Sequence, residues 1–220
     1  MKKIAIVIVA VVVSGVLFSR PIKAMLGKLL PWTLPYDAEV EYLESTGSNF
    51  IDTGVVCGQV YEITVDIIPL GAAGGTYIQN PNAGNRLHNP SSQLVIDQLR
   101  TTSYYGSARW WGPSNSFPAN VRALIRYGNF YVYKNGSLLT TQTAVDRSSE
   151  IITENTLRIM IAKQKCYGVT VSNGGTLVRD FIPVRFTNEK DEPEGAMYDK
   201  VSGKLFRNQG TGNFIIGPDK

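Results

Sequence analysis

One histidine, His88, and two cysteines, Cys57 and Cys166, are all that 220 residues offer of three common catalytic and metal-binding chemistries. A Ser-His-Asp or Cys-His engine would have to run through His88. That residue lies in the polar stretch Asn85-Arg86-Leu87-His88-Asn89-Pro90, with no nucleophile motif beside it. The spacing of Cys57, His88 and Cys166 matches no zinc site. Charge of one sign is lacking too, once the net of +4 is located. Lys2, Lys3, Arg20, Lys23 and Lys28 stand in the first 36 residues without an acid, and taking those five from 22 basic residues leaves 17 against all 18 acidic ones in residues 37–220. A near-neutral remainder argues against nucleic acid as a partner. No window beyond the N-terminus sustains a 3.6-residue apolar period, which argues against a helical bundle.

What is present begins with Ile4–Phe18, fifteen residues whose one polar interruption is Ser14, preceded by Lys2-Lys3 and followed by Ser19-Arg20-Pro21. This is the grammar of an export segment. A helix of that length reaches about 22 Å against roughly 30 Å of hydrocarbon, which fits a signal-peptide core better than a full span. Val13-Ser14-Gly15 and Ile22-Lys23-Ala24 offer cleavage sites, and the lack of a clear A-x-A leaves an uncleaved anchor as the alternative. Residues 1–23 are therefore read as a signal peptide or membrane anchor, helical in either case. Residues 24–36 are a connector, in which 24–30 form a turn or two of helix at a membrane surface and Pro31 and Pro35 end it.

From residue 37 the chain turns to short alternating runs separated by Gly, Asn and Pro, and the expectation is all-β. Tyr61, Ile63, Val65 and Ile67 alternate with Glu62, Thr64 and Asp66, the pattern of a strand buried on one side. Asn135-Gly136 between Asn129–Lys134 and Ser137–Thr140 marks a hairpin, and Asn173-Gly174-Gly175 a second tight turn. Further runs occupy Thr156–Ala162, Tyr167–Val171, Thr176–Phe186 and Gly212–Ile216. Gly71–Ser92 and Tyr104–Asn120 read as long loops or short irregular edge strands. The expected architecture is a single two-sheet antiparallel jelly-roll sandwich over residues 37–220.

Four stretches carry a resemblance. Glu41–Gly54, EYLESTGSNFIDTG, together with Thr176–Arg185, Gly195–Phe206 and Asn208–Phe214, resembles the opening strand and closing hairpin of concanavalin-A-like, laminin-G-type jelly rolls of bacterial surface and phage or prophage proteins. The likeness covers about residues 37–218 and implies an adhesive or structural module, often carbohydrate-binding, on a cell or virion surface. The residues themselves read as structural. Tyr42, Phe50 and Ile51 are packing residues, Asp52-Thr53-Gly54 a turn, and Arg179-Asp180 a local ion pair or a strand-edge polar pair. Asp199–Gly203 is a turn with Gly203 at positive φ.

Laminarinase-type relatives of that fold carry Glu-x-Asp-x-x-Glu along one strand, because alternate residues share a face and retention needs two carboxyls roughly 5 Å apart. Glu62 and Asp66 share a face here without a Glu at the required step, Glu150 and Glu154 are separated by apolar residues, and the acidic run at 189–194 reads as a solvated loop. No catalytic residue is assigned. Calcium, common beside sugar sites in laminin-G-type modules, would find oxygens at Asp97, Asn115, Asn120 and Asp146, but no loop has a calcium pattern and no metal is assigned. Two cysteines in an exported chain allow a Cys57–Cys166 bridge, worth roughly 2–5 kcal/mol, or two separate buried thiols.

Sugar recognition needs aromatic faces and planar polar groups. Tyr104, Tyr105, Arg109, Trp110 and Trp111 are the densest supply of both, and in a strand each adjacent pair splits between two faces. Tyr131 and Tyr133 share the face opposite Phe130 and Val132 and would extend a concave platform, with Asn85, Arg86 and His88 at the same end as hydrogen-bonding groups. The resulting expectation is an exported or membrane-anchored, non-catalytic module that recognises a glycan or surface protein. The alternative is a structural component of a virion, tail or cell surface that makes protein contacts, and a glycoside hydrolase comes third.

Overall fold

Tyr61–Pro69 shows in one strand why the chain folds as it does. Ile63, Val65 and Ile67 are buried, and Glu62, Thr64 and Asp66 stand half-exposed on the opposite face. The computed structural model describes residues 34–56, 61–70, 75–79, 92–97, 100–105, 108–111, 117–128, 131–141 and 156–220. Seventeen strands and no helix occur among them. The expected leader or anchor at 1–23 and nearly all of the connector lie outside the described residues. The chain divides at Pro35/Tyr36, and every strand belongs to the unit Tyr36–Lys220.

In chain order the strands are β1 Ala38–Glu39, β2 Leu43–Ser45, β3 Ile51–Val56, β4 Tyr61–Pro69, β5 Gly75–Gln79 and β6 Ser92–Asp97. They continue with β7 Arg100–Tyr105, β8 Ala108–Trp111, β9 Ala123–Gly128, β10 Tyr131–Lys134, β11 Ser137–Thr141 and β12 Thr156–Ile159. The last are β13 Gln164–Asn173, β14 Thr176–Thr187, β15 Pro193–Asp199, β16 Lys204–Phe206 and β17 Ile215–Ile216. The larger sheet runs β11-β10-β9-β4-β13-β14-β15-β16, with β1 on β14 and with β2 joining β13 to β17. The smaller runs β3-β12-β5-β6-β7-β8. All pairings are antiparallel, so the fold is all-β with two antiparallel sheets.

One core draws on both sheets. Ile63, Val65, Ile125, Val169 and Phe181 of the larger sheet cluster with Ile51, Ile78, Leu157 and Ile159 of the smaller. A second cluster of Val184, Phe186 and Ala196 lies on the other face of β14 and β15, with Tyr36, Ile182, Tyr198 and Leu205 packed against it. The Tyr36 and Tyr198 rings meet edge-on at 5.0 Å. On the same outward side, over β10, β9, β4 and β13, the side chains stay half-exposed or exposed.

The two expected turns form as read. Asn135 (φ 49°) and Gly136 (φ 81°) close β10 on β11, and Gly174 (φ 56°) and Gly175 (φ 80°) close β13 on β14, both with the paired positive φ of a type I′ turn. Gly203 has φ 69°, as expected. Three expectations need correction. Asp52-Thr53-Gly54 is not a turn but the middle of β3, where Gly54 at φ 65° sits in a register shift against β12. A glycine within a strand marks a bulge as readily as a loop. The stretches expected as loops or edge strands supply β5, β7 and β8, and of these only β8 is an edge, since β5 lies between β12 and β6.

The third correction concerns Arg179 and Asp180, which do not pair with each other because successive strand residues point to opposite faces. Lys200 Nζ lies 2.8 Å from Asp180, while Arg179 turns inward. Its Nε donates to the carbonyl of Thr53 in β3 at 2.9 Å and lies 3.8 Å from Asp199, so it ties the two sheets together. Asp199 is completely buried and accepts from the backbone N–H groups of Asp180, Val201 and Ser202 and from the Ser202 hydroxyl. A buried carboxylate is tolerated when its lone pairs are filled in this way. Elsewhere, residues 208–211 strap the chain ahead of β3. Asn208 Oδ1 accepts from Phe50 N–H, Gln209 N–H donates to the Phe50 carbonyl and Thr211 N–H to that of Ser48.

Candidate functional site

The eight residues expected to bind ligand divide into three groups. His88, with Asn85 and Arg86, lies outside the described residues. Tyr104, Tyr105, Arg109, Trp110 and Trp111 occupy β7 and β8 at one edge of the smaller sheet, and only their backbone positions are described. The register sets Tyr104 opposite Arg109 and Ser103 opposite Trp110. Tyr131 and Tyr133 occupy β10 in the larger sheet and are described in full. The expectation of one shared platform needs correction: Tyr131 and Tyr133 stand on the outward face of the larger sheet, whereas β7 and β8 belong to the smaller. Of the oxygens named as available to calcium, Asn115 and Asp146 lie outside the described residues, Asp97 is described in backbone only, at the end of β6, and Asn120 is exposed at φ 62°. Among the described residues no three His, Cys, Asp or Glu side chains converge as metal ligands.

Tyr131 and Tyr133 flank the buried Val132 and point outward. Across the ladder Tyr131 faces Gly128 and then Glu62, while Tyr133 faces Arg126 and then Thr64. Gly128 matters because it has no side chain. A Cβ there would sit 2.6 Å from Tyr131 Cζ, so the ring lies across the glycine in the space a side chain would take. From that position its hydroxyl donates to Glu62 Oε2, two strands away. Burial, and after it the hydrogen bond to Glu62, pushes the Tyr131 phenol up to about 12. The phenol is therefore a fixed donor, and the outward face of the ring is a platform beside a carboxylate.

Tyr133 stands nearly perpendicular to it, with ring centroids 5.5 Å apart and planes at 77°. The Arg126 guanidinium lies 4.3 Å from the Tyr133 ring centre, and its Nε is 3.8 Å from Glu62. The result is a corner: one aromatic floor, one aromatic wall, and a donor and an acceptor within reach of both. Arginine stacking of this kind contributes on the order of 1 kcal/mol on an exposed face.

A second cluster lies on the same face, at the far end of β4. Arg122 donates through Nε and Nη2 to both oxygens of Asp66 at 2.8 Å, and its guanidinium lies 3.7 Å above the Tyr167 ring. The hydrogen bond to Asp66 holds the Arg122 pKa above its ordinary value. Tyr167 is lifted onto this face by a bulge in β13 between Cys166 and Gly168, and its ring lies 5.6 Å from that of Tyr42. Lys165 Nζ donates to the Tyr42 hydroxyl at 3.2 Å, which raises the lysine's pKa.

Sequence reading found Tyr131 and Tyr133 through the hairpin but missed Glu62, Arg126, Gly128, Arg122 and Tyr167 as their company. The polar phase of β4 was the available signal for Glu62. Cys57 lies outside the described residues, whereas Cys166 is a free thiol, completely buried, with Sγ 3.9 Å from the Gly168 carbonyl. Burial pushes that thiol up to about 12, which leaves it uncharged and unreactive at neutral pH. No family model matches the chain, and no curated protein matches it.

Proposed function

We propose that this is an exported or membrane-anchored, non-catalytic binding module of jelly-roll type that recognises a carbohydrate through the Tyr131 corner. The observation that carries the reading is the Tyr131 ring laid across Gly128, with its hydroxyl on Glu62 and with Tyr133 and Arg126 beside it. A pyranose presents an apolar face to a ring and hydroxyls to planar polar groups, and this corner offers both within one ring's width. The two aromatic pairs of β7 and β8 form a second aromatic supply, on the other sheet. The laminin-G-like motifs and the export segment support a surface location, and the likeness to phage and bacterial surface modules points the same way.

The test is a glycan array probed with the full chain and with Tyr131→Ala, Glu62→Gln and the Trp110→Ala/Trp111→Ala pair. Binding that falls at least about tenfold in Tyr131→Ala and Glu62→Gln supports the corner. Loss confined to the tryptophan pair moves the site to β8, and no binding to any glycan refutes the proposal. One observation favours a second reading, an assembly protein that makes protein contacts. Leu138, 51% exposed, lies opposite Tyr133 in the edge strand β11, and Leu124, 46% exposed, is two residues from Arg126 on the same face. Exposed leucines next to tyrosine and arginine resemble the anchors of protein interfaces.

A further inference from the structure

The two aromatic–cation clusters of the larger sheet share one face, and what lies between them is small. The register aligns Gly128, Glu62 and Ser172 in one row, Arg126, Thr64 and Thr170 in the next, and Leu124, Asp66 and Gly168 in the third. Running from the Arg126–Glu62 pair, which closes the Tyr131 corner, to Tyr167, the face passes over Thr64, Thr170 and Gly168, which have no side chain or only a short one. Tyr131, Tyr133 and Arg126 rise at one end of this floor, and Tyr167, Arg122 and Tyr42 at the other. Tyr131 and Tyr167 are three strand spacings and about four residues apart, so their backbone positions lie about 20 Å from each other.

Charge narrows what fits. Arg122 is held by both oxygens of Asp66, Arg126 is stacked on Tyr133 and close to Glu62, and Lys165 is bonded to Tyr42. Each cation already has a partner, and the carboxylates among them would repel an anionic chain. Hydroxyl groups, in contrast, meet donors and acceptors along the whole floor, at Thr64, Thr170 and Ser172 as well as at the two ends.

We propose that the face between β10 and β13 seats an extended chain of neutral sugars, stacked at one end on Tyr131 and at the other on the Tyr167–Arg122 pair. The inference rests on the sugar-binding reading of the Tyr131 corner and adds a length and charge preference to it. A disaccharide fills the corner alone, and a longer chain reaches the second aromatic group.

The experiment measures binding of the full chain by calorimetry to neutral oligosaccharide ladders of the cello, malto, manno and chito series, from disaccharide to hexasaccharide. A sulfated oligosaccharide of matched length serves as the anionic arm. Affinity for the series that binds is expected to rise about tenfold between disaccharide and hexasaccharide, the contribution of one further stacked ring. It should change little between low and high salt. Tyr167→Ala should bring the hexasaccharide down to the disaccharide level and leave the disaccharide unchanged. Thr170→Gln, which fills the floor and touches neither aromatic group, should do the same if Tyr167→Ala fails to fold.

Equal affinity for disaccharide and hexasaccharide, or a length effect that survives both variants, overturns the extended site and leaves the corner standing. Preference for the sulfated chain with steep salt dependence overturns the neutral assignment. No binding in any ladder overturns the corner and the extended site together.

Discussion

Gly128→Ala tests the candidate site without removing any of its functional groups. The new Cβ would stand 2.6 Å from Tyr131 Cζ and 2.9 Å from its hydroxyl oxygen, against about 3.5–4.0 Å for relaxed carbon contacts, so the ring must rise by about 1 Å. A hydrogen bond from hydroxyl to carboxylate tolerates a change in length of only a few tenths of an ångström, so a displacement of about 1 Å breaks it. On a half-exposed face the loss amounts to about 1 kcal/mol, offset by roughly 0.4–1 kcal/mol because alanine restricts the unfolded chain more than glycine does. Stability should therefore fall by no more than about 0.6 kcal/mol while the corner is lost. The direct readout is the phenol. Its folded-state pKa is raised from 10.0 to about 12, so the stability linked to it is fully present below pH 10 and disappears as pH rises from there through about 12. In Gly128→Ala the Tyr131 ring-carbon NMR signal should titrate closer to pH 10, and glycan affinity should fall with it. If Tyr131 titrates alike in both proteins, the ring does not depend on the glycine and the geometry argued for the corner is wrong.

Three further substitutions probe the frame. Asp199→Ala removes the acceptor for three backbone N–H groups and the Ser202 hydroxyl and strands Arg179, and should cost about 3–5 kcal/mol, read from the urea midpoint. Gly210→Ala drives a Cβ into the Ser48 carbonyl, so the 208–211 strap must leave the chain ahead of β3; a loss of about 2 kcal/mol or more is expected, and a neutral result would mean that the strap carries no load. In a Cys57→Ser background, Cys166 should resist thiol reagents at neutral pH until denaturant is added, because burial keeps it protonated and covered. Rapid labelling of the native protein would contradict the burial of that strand.

The sequence was most informative where structure is local. The period of two in Glu62–Ile67, the Asn135-Gly136 pair and the turn that ends at Gly203 each depend on residues within a few positions, and each formed as read. Gly71–Ser92 was less legible because Gly, Asn and Pro signal turns whether or not a strand lies among them, and β5 is held in place by β12 and β6, whose nearest residues lie more than a dozen positions away. Asp52-Thr53-Gly54 carried a turn signature and became a bulge, because Val55 and Ile51 on either side are pulled into the core. Arg179 looked like the partner of its neighbour Asp180, and its actual ties are to Thr53 and Asp199, one of them in the other sheet.

The same distinction governs the candidate site. Alternation identifies which residues face outward, so Tyr131, Tyr133 and Glu62 were each readable as surface residues of a strand. It does not identify which outward residues become neighbours, since that is set by strand order and register. Glu62 and Tyr131 are 69 positions apart and meet because β4 and β10 both pair with β9, in a register that puts a glycine between them. Shifting β9 by one residue against either neighbour would carry Tyr127 to that position and turn the buried Ile125 outward, so the burial of Ile125 and Ala123 fixes the site as firmly as its own hydrogen bonds do. The corner's specificity is in this sense a property of the core beneath it, and core substitutions in β9 should weaken ligand binding together with stability.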